Sequence, residues 1–274
     1  MPDASRTAVG VAALRAAHLL YDAPPPILND FVAIQLIDPD SRARLEGPSA
    51  AEHLAKVEAL RVHVVVRSRF AEDCLEAAFE RGVRQYVILG AGLDTFAWRQ
   101  PVWAKALRIF EVDRGGSQQD KQERVARAGL QAPANLVYVP VDFEAEPLDE
   151  CLRGAGVDLR APVFFSWLGV TPYLEEAAID EVLRVVAGGA PGSEVVFTFA
   201  PAGDTPSAVA AMAAALGEVF RSYFTPAQLD AKLRGLGFAE VFFLTPAEAA
   251  ARYFANRGAG LAAPRRVSIV RARV

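Results

Sequence analysis

Three short stretches of the sequence carry residues of the kind that bind a nucleoside. The first is Tyr86-Val-Ile-Leu-Gly90-Ala-Gly92-Leu-Asp94-Thr95, an apolar run that enters a glycine turn directly. Gly90 and Gly92 let the chain bend tightly and let a ligand lie against the backbone with no Cβ in the way, although a bare strand-to-helix turn would use the same pair. Asp94 beside them joins the candidate contacts. About 20 residues on, where a nucleotide-binding fold sets its ribose acid, stands Ile109-Phe-Glu111-Val-Asp113. Strand alternation puts Glu111 and Asp113 on one face, with Asp113 at the carboxyl end, able to accept from both ribose hydroxyls. An acid that only opens the loop before the next helix would read the same way. The third stretch, Asp142-Phe143, offers a carboxylate to an adenine amino group and a ring to pack on the base. By itself the dipeptide reads better as a helix N-cap beside a core phenylalanine.

The third glycine of a pyrophosphate-binding GxGxxG turn is replaced by Thr95, so the pattern points to a nucleoside without a diphosphate, S-adenosylmethionine rather than NAD. A methionine carboxylate calls for a cation, and Arg69, upstream of the first strand, is the candidate, with a solvated helix charge as its plainer reading. Transfer from a sulfonium is an in-line displacement, for which alignment in a dry pocket contributes up to roughly 7 to 11 kcal/mol. A carboxylate acceptor needs no base, whereas a hydroxyl or amine usually does. Ser166, Trp167 and Tyr173, after the fourth predicted strand, are the candidate catalytic groups, the two aromatics serving equally well as core. They form no acid-base dyad, and His18, His53 and His63 all fall in the N-terminal part. His18 sits on a helix expected to lid the site, yet a lone histidine is more often structural.

The elements that must position these groups follow from periodicity. Apolar residues from Val9 to Leu20 recur at helical spacing until Asp22 and Pro24 to Pro26 stop them; a second helix is predicted over Ile27 to Ile37, ended by Asp38-Pro39-Asp40. Ala51 to Gly82 reads as one long helix or two joined near Ser68. The rhythm then changes to strands at Gln85 to Leu89, Leu107 to Asp113, Leu136 to Val141, Pro162 to Leu168, Glu194 to Ala200, Glu240 to Leu244 and Val267 to Ala272. Helices are expected at about Gly116 to Ala128, Leu148 to Gly154, Glu175 to Ala187, Ser207 to Gly217 and Pro226 to Gly235. Only a short segment, Pro246 to Phe254, separates the last two strands, so the final one should run antiparallel. This predicts an α/β fold, a seven-stranded Rossmann-like sheet behind an N-terminal helical cap. Residues 1–82 form the cap, 83–274 the nucleoside-binding core, and about 201–224 an insertion walling the acceptor.

With 274 residues and 52% hydrophobic content the chain fits one large domain. A net charge of -4 without a basic run argues against nucleic acid. Cys74 and Cys151 with the scattered histidines make neither a disulfide framework nor a metal site, and a reducing cytoplasm fits best. The first twenty residues lack the basic leader of a signal peptide, and no stretch reaches the roughly 20 apolar residues of a membrane span. Nothing bears on the oligomeric state.

Taken together, the residues resemble the leucine carboxyl methyltransferase-like family, in particular its bacterial branch of S-adenosylmethionine-dependent methyltransferases. The resemblance covers most of the chain: Arg6 to His18 with the Pro-rich turn, Arg69-Phe70, Val83 through Arg99, Phe110-Glu-Val-Asp113, Val141-Asp142-Phe143, and Ser166-Trp-Leu-Gly-Val-Thr-Pro172-Tyr173-Leu174. It implies a class I methyltransferase fold with Arg69 on the methionine carboxylate, Gly90 under the methionine, Asp113 on the ribose, and Asp142 with Phe143 around the adenine. It also implies O-methylation of a carboxyl group in a small molecule or peptide. Where the carboxyl methyltransferases carry a Glu before the glycine after the fourth strand, this chain has Leu168, so their protein substrate does not carry over. The alternatives are N-, C- or hydroxyl O-methylation of a small metabolite, a nicotinamide-dependent oxidoreductase, which would need the missing glycine and a catalytic Tyr/Lys or His pairing, and a catalytically inactive S-adenosylmethionine-binding protein.

Overall fold

The computed structural model describes residues 6–203, 208–215, 217–255, 257 and 261–274. The chain opens with helices α1 (Arg6–Tyr21), α2 (Ala33–Leu36), α3 (Pro39–Glu46), α4 (Ala50–Lys56) and α5 (Glu58–Glu80). Strand β1 (Gln85–Leu89) leads through a short α6 (Phe96–Arg99) to β2 (Arg108–Asp113), α7 (Gly115–Arg127), β3 (Leu136–Pro140) and α8 (Leu148–Gly154). Then come β4 (Val163–Trp167), α9 (Glu176–Ala187), β5 (Glu194–Thr198), α10 (Ala208–Ala215), α11 (Pro226–Gly235), β6 (Glu240–Phe243), α12 (Pro246–Tyr253) and β7 (Ile269–Arg273).

The seven strands form one sheet in the order β3-β2-β1-β4-β5-β7-β6, parallel except for β7, which runs antiparallel between β5 and β6. This is the α/β architecture expected. Strands β1, β4 and β5 are buried at every position, as central strands covered on both faces must be. One face packs Phe110, Phe165, Trp167 and Phe197 against α8, α9 and α11; the other packs Tyr86, Ile109, Phe164 and Val196 against α5.

The N-terminal part departs from the predicted boundaries. Only Ala33–Leu36 of the expected Ile27 to Ile37 helix is helical. Asp38-Pro39, read as a stop, is instead a start: the Asp38 side chain accepts the Ser41 N–H at 2.7 Å and Pro39 occupies the first turn of α3, where its missing N–H costs nothing. The long helix breaks at Val57, not near Ser68. Between β6 and β7 the short segment is itself a helix, α12, opened by a Thr245/Glu248 capping box. Ser207 and Leu216 of the expected Ser207 to Gly217 helix lie outside the described residues.

The segment 201–224 leaves β5 and returns beside it: Ala202 N donates to Phe224 O at 3.0 Å and Phe224 N to Ala200 O at 2.9 Å. On its way back it leans on the loop after β4, where Arg221 N and Ser222 N both donate to Pro172 O. Helix α1 packs along α5 through Val11, Leu14, Val57 and Val64. No described helix is long and apolar enough to cross a membrane.

Candidate active site

The turn after β1 is held from four directions. Its glycines have φ of +63° at Gly90 and +47° at Gly92, the region open to residues without a Cβ. Gly90 N and Ala91 N both donate to Val112 O, fastening the turn to β2. Gly92 N donates to Asp113 Oδ2 at 2.6 Å, and Arg114 N to Asp113 Oδ1 at 2.8 Å. Asp113 thus stands at the tip of β2 directly against the glycine turn. Burial pushes its carboxyl above the usual range, opposed by these two backbone donors. A Cβ on Gly90 would come 2.3 Å from Val170 Cγ2, and one on Gly92 3.3 Å from Ala8 Cβ, so the loop after β4 and the first turn of α1 close over the two glycines.

Asp94 caps the next turn by accepting from Phe96 N at 2.8 Å. Behind it lies a buried polar chain that the sequence reading did not anticipate. Thr95 Oγ1 donates to Asp30 Oδ2 at 2.7 Å and accepts from Arg99 Nε at 2.9 Å. Arg99 also forks onto Glu72 of α5, and Arg15 of α1 bridges Asp30 at 2.7 Å and Leu93 O at 2.5 Å. Asp30 and Thr95 are fully buried. Two helices of the cap therefore grip the strand-to-helix turn from beneath. The signal was Arg15, an arginine in an otherwise apolar helix, which has to find a buried acid.

Glu111 shares the face of Asp113, as expected, but its partner is Lys121 of α7 at 2.5 Å, both fully buried. Burial lifts its carboxyl to about 7, against the attraction of Lys121. It braces α7 rather than opening onto the ligand side. Asp142 organises its own turn, accepting from Glu144 N at 3.0 Å, while Arg114 lies 3.4 Å away; Phe143 packs edge-on against Trp167. These two residues stand at the tip of β3, next to Asp113, whose carbonyl accepts from Val141 N.

The arginine candidate needs correction. Arg69 is 46% exposed and tied to Asp73 at 2.7 Å on the outside of α5. Residues two apart on a helix point to nearly opposite sides, so it is Arg67 that turns inward. Its guanidinium lies 2.7 Å from where a Cβ of Gly169 would be, just beyond β4, and its Nε is buried without a hydrogen-bond partner. Burial, then the neighbouring Arg15, lowers its pKa to about 10, which leaves it a cation at neutral pH. His63, one turn earlier on the same face, was not singled out either.

Of the three catalytic candidates, Tyr173 is the one whose charge interacts with Arg67. Ser166 is buried and bonded to the Tyr86 hydroxyl at 2.8 Å, and Trp167 is fully buried in the core, its Nε1 unpartnered. Adjacent β-strand positions face opposite sides of the sheet, and each of these two side chains is buried in the layer on its own side. Tyr173 sits on the turn after β4 with its ring 5.1 Å from Phe220, hydrogen-bonded to Thr7 and under the field of Glu218. Burial, then Glu218, raises its phenol above the ordinary value. Thr7 in turn donates to Glu218, joining α1 to the 217–224 segment as a roof. His18 is structural: Nδ1 meets Asp22 at 2.8 Å and Nε2 accepts from Ile27 N at 2.9 Å.

The donor set fits S-adenosylmethionine on two observations: an inward guanidinium with an unspent donor, and a carboxylate at the tip of β2 beside a glycine turn. No described cluster of His, Cys, Asp or Glu could hold a metal ion.

A model of the leucine carboxyl methyltransferase family matches residues 8–187. YktD of Bacillus subtilis is 31% identical over 291 residues, spanning 95% of each chain, and a Mycobacteroides abscessus protein is 36% identical over 71% of this chain and 64% of its own length. Both are named, provisionally, as S-adenosyl-L-methionine-dependent methyltransferases. A DUF574 family protein from Streptomyces avermitilis superposes over 96% of both chains with a TM-score of 0.58 at 16% identity. A Thermobifida fusca protein, provisionally a methyltransferase, covers 88% of this chain and 91% of its own with a TM-score of 0.56 at 18% identity. At such identities the two structures speak for the fold.

Proposed function

Since the chain belongs to the leucine carboxyl methyltransferase family and is an S-adenosylmethionine-dependent methyltransferase, we propose that it O-methylates the carboxyl group of a small molecule or peptide in the crevice above β1, β2 and β4. The observation that carries this reading is the inward Arg67 facing Gly169, its Nε without a hydrogen-bond partner among the described residues, with the Gly90 to Gly92 turn and Asp113 at the tips of the neighbouring strands. When bound, the cofactor supplies an electrophilic methyl on a sulfonium. Arg67 would hold its methionine carboxylate, Asp113 its ribose hydroxyls, and Asp142 with Phe143 its adenine. The roof of Thr7, Glu218 and Tyr173 would exclude water, which strengthens each of these charged contacts. Support for a carboxylate acceptor comes from the groups around the space: the Tyr173 phenol is held protonated by burial and Ser166 is committed to Tyr86, so an acceptor arriving already ionised is best served.

Calorimetry with S-adenosylhomocysteine tests the cofactor half. Arg67→Gln and Asp113→Asn should each weaken binding by about 1.5 to 3 kcal/mol, the range for losing hydrogen bonds to a charged group, while Arg69→Gln should leave it unchanged. Sensitivity to Arg69 and indifference to Arg67 would refute the assignment. Turnover on a panel of carboxylic acids, phenols and amines tests the acceptor half: base-labile methyl esters are expected, and methyl ethers or methylamines alone would refute it.

A further inference from the structure

A cavity of about 260 Å³ lies between α5, the stretch 28–31 before α2, and the turn after α6. It is separate from the crevice, because Arg69 and Asp73, which line it, stand on the outer side of α5, away from Arg67. Its wall is apolar and aromatic, built by Leu28, Phe31, Phe96 and Trp103, and Phe31 is left 49% exposed. A ring held half in water costs free energy that a ligand covering it would recover. The opposite wall is charged: α5 contributes Glu72, Asp73 and Glu76 from one face. The two arginines of the cavity answer only two of these acids. Arg99 forks onto both oxygens of Glu72, and Arg69 and the Tyr253 hydroxyl each take one oxygen of Asp73. Glu76, exposed, makes no hydrogen bond or ion pair among the described residues. Three carboxylates against two guanidiniums leave one negative charge unanswered beside aromatic rings, whose faces attract cations, as Arg99 already does over Phe96 at 5.9 Å.

We infer that this cavity is a second binding site, for a small organic cation: a primary amine on an aromatic or apolar body, its ammonium at Glu76 and its body against Phe31 and Trp103. An anion is repelled there, and an uncharged ligand leaves Glu76 unanswered. Size narrows the class, since pockets for drug-sized ligands run from about 300 to 1,000 Å³ and this one suits a single ring with a short chain. The cavity also reaches the glycine turn. Glu72 stands one helical turn from Glu76, and its partner Arg99 donates to the Thr95 hydroxyl, which bonds Asp30, the neighbour of Phe31. An ammonium seated beside Glu72 competes with Arg99 for it. The occupant therefore loosens the Gly90 to Gly92 turn, and cofactor and amine weaken one another by the same factor.

2-Phenylethylamine, 2-phenylethanol and 3-phenylpropanoate share a body and differ in head group, so they are titrated into the protein at low ionic strength, followed by calorimetry and by indole N–H NMR. Of the three tryptophans, Trp103, assigned with Trp103→Phe, is expected to move saturably with the amine alone, while the core Trp167 stays still. Glu76→Gln should weaken the amine about three- to fivefold and Phe31→Ala about tenfold. Glu76→Gln should melt as wild type does and bind S-adenosylhomocysteine equally well without amine. Saturating amine should weaken S-adenosylhomocysteine by about fivefold, and the reverse titration should return the same factor. A still Trp103, an equal response to the alcohol or the acid, or wild-type amine affinity in both variants overturns the site. Complete exclusion of the amine by S-adenosylhomocysteine places it in the crevice and overturns the site as well. If the amine binds as described and S-adenosylhomocysteine affinity does not change, the tie to the glycine turn is overturned. Amine binding to the unliganded protein is independent of the cofactor reading, which falls only if Arg67→Gln binds S-adenosylhomocysteine as tightly as wild type.

Discussion

Replacing Thr95 with Val keeps the volume of a fully buried side chain and removes its hydroxyl. The hydroxyl makes two bonds to charged groups: it donates to Asp30 at 2.7 Å and accepts from Arg99 at 2.9 Å. Such bonds contribute about 1.5 to 3 kcal/mol each. Neither charge is stranded by the change, because Asp30 keeps Arg15 and the Ala33 N–H at 3.0 Å, and Arg99 keeps Glu72. The lower figure therefore applies twice, a loss of about 3 kcal/mol. At about 2 °C per kcal/mol for a domain of this length, Tm should fall by roughly 6 °C. Because the same chain of bonds holds Leu93 O through Arg15, the glycine turn should also loosen, and affinity for S-adenosylhomocysteine should drop with stability. Scanning calorimetry and titration on Thr95→Val and Thr95→Ser check both effects. Ser retains the hydroxyl and should restore most of each. A Thr95→Val protein that melts within about 1 °C of wild type, or a Ser variant that falls as far as Val, would refute the reasoning.

Gly90→Ala combines a left-handed φ of +63° with a Cβ 2.3 Å from Val170 Cγ2. It should destabilise by more than the roughly 1 to 2 kcal/mol of the backbone effect alone, and adding Val170→Ala should recover only the steric share in a double-mutant cycle read by denaturant unfolding. Glu111 carries a folded pKa of about 7, above its unfolded value, so the folded state holds the proton more tightly; that stability is full below about pH 4.5 and declines as pH rises toward 7. Melting profiles across this window should slope less in Glu111→Gln than in wild type, and parallel profiles would contradict the assignment. Asp30 shows the opposite sign. Its carboxyl is also disfavoured by burial, yet Arg15, Arg99 and Thr95 outweigh this and hold it below 3.8, so its contribution disappears as pH falls through and below that value. Asp30→Asn should accordingly lose its stability deficit in acid, measured as convergence of its Tm with wild type.

Strands were legible because two rules agree there. Central strands are apolar at every position and end at turn glycines, so β1 and β4 can be read within a residue of their bounds. Helix boundaries in the cap rest on weaker signals. Proline stops a helix when it follows one and starts a helix when it occupies the first turn, and only the Asp38 side chain bonded to Ser41 N distinguishes the two cases. The break at Val57 carries no glycine or proline at all, and so leaves no mark in the composition.

The site divides along the same line. The places of Asp113, Gly90 and Gly92 at the strand tips were readable because strand tips come in a fixed order and a period of two leaves one choice of face. Arg67 and Arg69 were not distinguishable, because assigning the inward member of a pair on a helix requires the helix phase relative to the sheet. That phase is set by tertiary packing of Phe70 and Cys74 on Tyr86 and Phe164. Once Phe70 is placed inward, the i−3 position, Arg67, and the i−7 position, His63, must follow on the same stripe, while Arg69 is carried around to Asp73. The residue that faces Gly169 is thus fixed by a helix that precedes the glycine turn in the chain, and the buried Arg15, Asp30, Thr95 and Arg99 chain makes the helical cap a structural part of that turn.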